Sequence, residues 1–259
     1  MKAQAVSTSL PTRRDVAFVR IGGGRLLAFS CDAAGGIGSK PHDRVRAEPR
    51  LVGKLTARVA LMELLAVGAD PIAVVGAFPV EPEPTGNRLL EGVREEVREA
   101  GLGKLRILCS SEKNVRVNQT GVGVTAIGLL SASRLKVGRC RVGDEVVAVG
   151  RPYVGQEVVR AEEHGWVAET VDVIKLRRSR LVHELIPVGS RGIFYEAGVV
   201  AGDSGLLFNA LASAGIDLEK SAGPATVLLA VIRSGGFGGV RGVVSGKPVA
   251  RVGTFSKNR

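Results

Sequence analysis

The chain has 259 residues, 45% of them hydrophobic, which is enough to bury one large or two smaller cores and too much for a disordered polymer. A formal charge of +11 suits anionic partners such as nucleic acid, acidic lipid or phosphorylated metabolites. Apolar runs fall short of the roughly 18–20 residues a bilayer demands, and Cys31, Cys109 and Cys140 are too few and too scattered for a disulfide framework or a zinc pattern, which suits a reducing cytoplasm.

Residues 1–12 read as a loose arm without the apolar segment of a secretory signal. VAFVRI (16–21) is predicted to be a strand, GGG (22–24) a turn and RLLAFSC (25–31) the returning strand. That strand runs into SCDAAGGIGSK (30–40), which sets a lone aspartate, three glycines and a lysine side by side. The spacing predicts a largely buried helix over 50–68 stopped by Gly68, a β-rich run over 71–78 and a Pro-rich loop over 79–84. An amphipathic helix follows over 85–101, with Leu89, Leu90, Val93, Val97 and Ala100 on one face, then strands over 104–110 and 120–130. A Gly-Asp step at 143–144 opens a new β-run, and a boundary near Leu135 divides the chain into domains 1–134 and 135–259. The second half reads as a strand, helices over 153–164 and 170–182, a glycine-punctuated loop, a helix over 203–214, and strands over 226–232, 240–244 and 248–253. Strands and helices alternate in both halves, which argues for a two-domain α/β or α+β fold.

Familiar nucleotide and hydrolase signatures are missing. SGKP (245–248) has proline where a P-loop needs Ser or Thr, no G-x-G-x-x-G opens a helix after a strand, and no G-x-S-x-G elbow occurs. His42, His164 and His183 are isolated. The densest basic run, KLRRSR (175–180), reads as a solvated helix face, and one Trp and two Tyr leave little with which to stack bases.

The acids are more telling. Glu63 shares its helix face with Val59, Ala60, Ala66 and Val67, where a carboxylate is costly unless a cation or hydrogen bonds meet it. It is either paired with Arg58 or another arginine, or aimed into a shared site as a metal ligand. Asp32 and Glu112 each follow an apolar strand, where α/β proteins gather functional groups. Asp15 and Asp43 are further candidates. Magnesium accepts a few carboxylates plus substrate phosphates, so these acids together with the glycine turn and Lys40 point to metal–phosphate binding.

CDAAGGIGSK (31–40), VGKLTARVALMELLAVGADPIAVV (52–75), ILCSSEKN (107–114) and TGVGVTAIG (120–128) resemble, in order and spacing, the N-terminal ATP-binding domain of the aminoimidazole ribonucleotide synthase (PurM-like) superfamily. VGDEVVAVGRPYVGQEVV (142–159) is similar to the opening of that superfamily's C-terminal domain. The resemblance implies two α/β domains, with the first joining a second copy in a dimeric β-barrel. It implies magnesium at Asp32, Glu63 and Glu112, with Asp15 close by, and phosphates against Gly35, Gly36, Gly38 and Lys40. Glu63 stands where many members carry Asp. GGIGSK, SEKN, VHELIPVGSRGIFYEA (182–197) and KSAGPATVLLA (220–230) most resemble the α-ribazole kinases of cobalamin lower-ligand salvage, although Ser111-Glu112-Lys113 departs from the Thr-Glu-Ser expected there. The implied activity is transfer of a phosphoryl group from ATP to the 5′-hydroxyl of a riboside in the cytoplasm. Asp43 is a candidate base, and His183, Glu184, Ser190 and Arg191 are candidate acceptor contacts beside Phe194 and Tyr195. Two alternatives stand beside it. One is an enzyme that activates an amide and releases phosphate; the other is a basic nucleic-acid-binding module, against which the acidic constellation speaks.

Overall fold

The computed structural model describes residues 14–258; the arm expected over 1–12 lies outside them. The first sheet is built from β1 (Val16–Arg20), β2 (Arg25–Gly35), β5 (Asp70–Phe78), β6 (Arg106–Ser111) and β7 (Gly121–Ser131) in the order β1-β2-β7-β5-β6. Two short parallel strands, β3 (Ile37–Gly38) and β4 (Val45–Arg46), shape the loop after β2. Helices α1 (Pro49–Ala66) and α2 (Asn87–Glu99) cover one face. Alternation along the strands sends Val122, Val124, Ala126 and Leu130 of β7 into that core.

The second sheet contains β8 (Glu145–Gly150), β9 (Val182–Pro187), β10 (Leu206–Ala210), β11 (Val227–Ile232) and β12 (Val249–Lys257), all antiparallel, in the order β10-β12-β8-β11-β9. Its central strands β8 and β11 are apolar along almost their whole length because both faces are covered. Helices α3 (Gln156–Glu163), α4 (Thr170–Leu176), α5 (Gly192–Asp203) and α6 (Phe237–Val243) complete this half. The result is a mixed α/β fold. Among the described residues no helix is long and apolar enough to cross a membrane.

Helix α1 belongs to both cores. Ala57, Ala60, Leu61 and Leu64 pack beneath the first sheet, while Met62, Leu65 and Ala66 pack with Leu185, Leu228 and Ala230 of the second. The fully buried Arg58 reinforces the join: its guanidinium donates to both oxygens of Glu162 on α3 (2.6 and 2.7 Å) and to Glu96 on α2. Arg58 is therefore not the partner of Glu63.

The second half departs from expectation in four places. The helix expected over 170–182 ends at Leu176, so KLRRSR leaves the helix after two residues and turns toward β9. The expected loop after it holds β9 and the glycine-rich α5, the helix expected over 203–214 is instead the edge strand β10, and the strand expected over 240–244 lies in α6. Glycines in α5 and α6 lower intrinsic helicity, and packing on the sheet supplies what propensity lacks.

Candidate active site

Strand β2 is longer than its sequence suggests. It stays in register with β7 from Arg25↔Ser131 to Gly35↔Gly121, so Asp32 lies within the strand and not after it. On the other side β1 covers only Leu26–Ser30. Of the remainder, Asp32–Gly35 border a cleft of about 510 Å³. Leu51, Val52 and Leu55 of α1 form one wall, Val154 and Val158 another, and Gly223–Pro224 close the rim. The walls are apolar; Asp32 and Arg44 are the charged side chains of the lining. Such a slot accepts a flat apolar group and holds charge at one end.

Burial pushes the Asp32 carboxyl up to about 6, helped by the negative charge of Asp15 and opposed by a hydrogen bond from the Ala33 backbone N–H. Glu63 is 7% exposed, and its carboxylate has neither a hydrogen bond nor an ion pair among the described residues. Burial raises its carboxyl well above the ordinary value, and the charges of Asp15, Glu196 and Asp32 add to this while Arg14 opposes it. Glu196 on α5 is likewise pushed up to about 7 by burial and by Asp15. Four acids thus share one electrostatic neighbourhood: Asp15, Asp32 and Glu63 from the first half, and Glu196 from the second.

Arg14 is the cation that organises this neighbourhood. Its guanidinium pairs with buried Glu184, donates to Asp203 (3.1 Å) and donates to the Leu185 carbonyl (3.0 Å). The residue before Asp15 is thereby pinned to β9. Neither Arg14 nor Glu196 stood out in the sequence, since a lone arginine in a chain rich in them and a glutamate in a glycine-rich stretch carry no pattern.

The other expected residues take varied places. Lys40 pairs with Glu81 (2.5 Å) and donates to the Val117 carbonyl (2.9 Å), which fastens the glycine loop to the 79–86 and 115–119 segments. Asp43 is buried, and its oxygens accept from the backbone N–H of Lys40 (2.8 Å), the backbone N–H of Thr120 (2.8 Å) and the Thr120 hydroxyl (2.7 Å). It staples the loop, with both oxygens engaged. Gly35 and Gly36 line the cleft, whereas Gly38 packs against Thr120, whose Oγ1 would stand 2.3 Å from an added Cβ. Gly36 needs its glycine for φ +72°, but its N–H is taken by the Thr120 carbonyl (2.8 Å) and so is not offered to a phosphate.

Glu112 does not join Asp32 in one chain. Strands β7 and β5 lie between β2 and β6, and the register sets Asp32 level with Cys109, so three strand spacings of roughly 14 Å, plus the run from Cys109 to Glu112, separate the two residues. Its exposed carboxylate caps its own turn, accepting from the backbone N–H groups of Asn114 (2.7 Å) and Val115 (3.1 Å), which hold it below the ordinary value. The expected acceptor segment is also divided. Glu184 is buried against Arg14 and Cys140, and His183 is bound to Asp144 (2.7 Å) at a different surface. Ser190 and exposed Arg191, which stacks 3.6 Å from the Tyr195 ring centre, lie at the start of α5. The Ser190 backbone nitrogen would stand 3.9 Å from a Cβ on Gly223, which places Ser190 at the cleft rim.

Magnesium fits the kind of donor present: hard, partly buried carboxylate oxygens, one of them unpartnered. Among the described residues no three His, Cys, Asp or Glu side chains converge as a preformed cage. Magnesium sites commonly use one or two carboxylates and leave the rest to water and phosphate, so Asp32 and Glu63 are the residues that would hold it.

Residues 13–130 match the sequence family described as AIR synthase related protein, N-terminal domain. No curated protein matches the sequence. Among solved structures, AaThiL complexed with AMPPCP and TMP is 14% identical with a TM-score of 0.64, covering 95% of this chain and 85% of that one. Thiamine-monophosphate kinase from Stenotrophomonas maltophilia K279a is 16% identical with a TM-score of 0.62, over 95% and 87% of the two chains. The hydrogenase maturation protein HypE in complex with ATP is 18% identical with a TM-score of 0.66, over 94% and 80%. The chain shares the fold of these proteins along nearly its whole length.

Proposed function

We propose that this chain is an ATP- and magnesium-dependent phosphotransferase whose acceptor is the 5′-hydroxyl of α-ribazole. The observation that carries the first part is the cleft: an apolar slot that ends in Asp32, beside the unpartnered Glu63. Proteins of the same fold with AMPPCP or ATP bound support a nucleotide substrate. The motif resemblance in 182–197 and 220–230 supports the riboside. The surplus of positive charge favours collection of an anionic substrate.

In this reading Leu51, Val52, Val154 and Val158 hold the adenine, and Arg44 meets phosphate oxygens at the mouth. Bound magnesium neutralises phosphate charge. Asp32 and Glu63 stay ionised to hold it. Ser190 and Arg191 orient the acceptor near Gly223 at the rim. Glu196 packs behind them, its carboxylate 3.6 Å from the position a Gly189 Cβ would occupy. It takes the role of proton acceptor, while Asp43 is engaged in bracing the loop. Positioning and electrostatics do the work, with no covalent enzyme intermediate.

Incubation with α-ribazole, ATP and magnesium should yield ADP and a phosphorylated riboside in equal amounts. Free phosphate matching ADP, with no phosphorylated riboside, would assign amide activation in its place.

A further inference from the structure

The basic run 175–180 has no part in the cleft. Its arginines meet the connector between the two sheets. Lys136, Arg139 and Arg141 from the connector and Arg177, Arg178 and Arg180 from the turn after α4 line one recess of about 590 Å³, with His183 at its edge. Cations drawn from two separate segments repel one another, so their convergence costs stability unless something anionic meets them.

The walls are braced. Arg139 donates to the carbonyls of Leu135 (2.6 Å) and Ser133 (2.8 Å). Arg177 donates to the Ala69 carbonyl (3.0 Å) and the Asp70 carboxylate (2.6 Å). The Lys136 N–H donates to the Val67 carbonyl (3.0 Å), and Gly68 at φ +96° lets the connector pass so close that an added Cβ would stand 2.8 Å from the Arg134 carbonyl oxygen. Asp70 is engaged by Arg177 and Asp144 by His183. Lys136, Arg141, Arg178 and Arg180 have no carboxylate within ion-pair distance among the described residues.

Arg139 and Arg177 thus fix the frame, and the other four side chains have no partner among the described residues. The lining has one apolar side chain, Val182, and no aromatic ring apart from the His183 imidazole. Such a surface selects phosphate oxygens and offers nothing to a base. The recess has room for a short chain of phosphates. We propose that this recess is a second ligand site, for a compact polyphosphate anion: free inorganic polyphosphate or the phosphate tail of a nucleotide.

Titration calorimetry with inorganic tripolyphosphate at low salt tests it, using the full chain and an Arg141→Ala/Arg178→Ala/Arg180→Ala variant. All three positions are exposed, and a melting curve checks that the variant folds. The wild type should bind, with affinity falling as salt rises, and the variant should bind at least about tenfold more weakly. ATP turnover should be unchanged in the variant, so the result stands apart from the phosphotransfer proposal. Displacement of tripolyphosphate by ATP in the wild type alone assigns a nucleotide tail; failure to displace assigns the free inorganic chain. No binding by the wild type, or equal binding by the variant, overturns the site. Tighter binding of a short DNA duplex than of tripolyphosphate, lost in the variant, overturns it in favour of a nucleic-acid surface.

Discussion

A carboxylate drawn out of water keeps its charge only at a cost, and half-buried Asp32 and buried Glu63 both bear it. Removing the charge should therefore separate function from stability. Asp32→Asn should abolish ATP turnover. Because the folded-state value of Asp32, about 6, lies above its ordinary 3.8, this acid favours folding while protonated. Its contribution is fully present below the ordinary value and is lost as pH climbs through about 6. Without metal, the variant should gain about 1–2 kcal/mol over wild type near pH 8 and roughly nothing near pH 4 in urea unfolding. Wild-type turnover at limiting magnesium would remove Asp32 from the site. At this scale Asp32 and Glu63 were legible because an acid beside apolar neighbours is anomalous in any linear pattern. Asp43 and Glu184 were legible as acids but not as struts, since their partners Thr120 and Arg14 are distant in sequence. Lys40 was legible as a cation but not as the partner of Glu81, for the same reason.

Close approach between elements depends on what side chains leave out. At Gly92 an added Cβ would stand 1.8 Å from the Arg50 carbonyl oxygen, and at Gly53 it would stand 2.1 Å from that of Leu89. The backbones of α1 and α2 touch there, and neither helix has room to give. Gly92→Ala should destabilise by about 1–3 kcal/mol despite the better helix propensity of alanine, as a lower urea midpoint would show. The amphipathic face of α2 and the β1–β2 hairpin were readable because periodicity and turn glycines agreed. In the second half they conflicted. LLFNA within 203–214 sits in an alanine-rich window and pairs with β12 all the same, while GIFYEAGVVAGD is poor in helix formers and coils because Ile193, Ala197 and Val200 find the sheet.

The first sheet has a second face that no element among the described residues covers. Leu27, Phe29, Val75, Ile127 and Leu129 alternate onto it, and Leu108 at 69% and Ile72 at 43% exposure extend it toward the β6 edge. An apolar sheet face of this extent calls for cover. A second copy of the chain is the proposed cover, so sedimentation at micromolar concentration should give a homodimer, and Leu108→Lys should shift it toward monomer. A wild-type monomer would reject the arrangement. Helix α1 sets a different limit on the molecule. Because Met62, Leu65 and Ala66 complete the core of the second sheet, and Arg58 grips Glu162, a chain cut in the 135–143 connector should yield two fragments that are each insoluble alone. Expressed together, they should find one another and purify as a complex. The half that carries α1 would then act as an intramolecular chaperone for the half that follows.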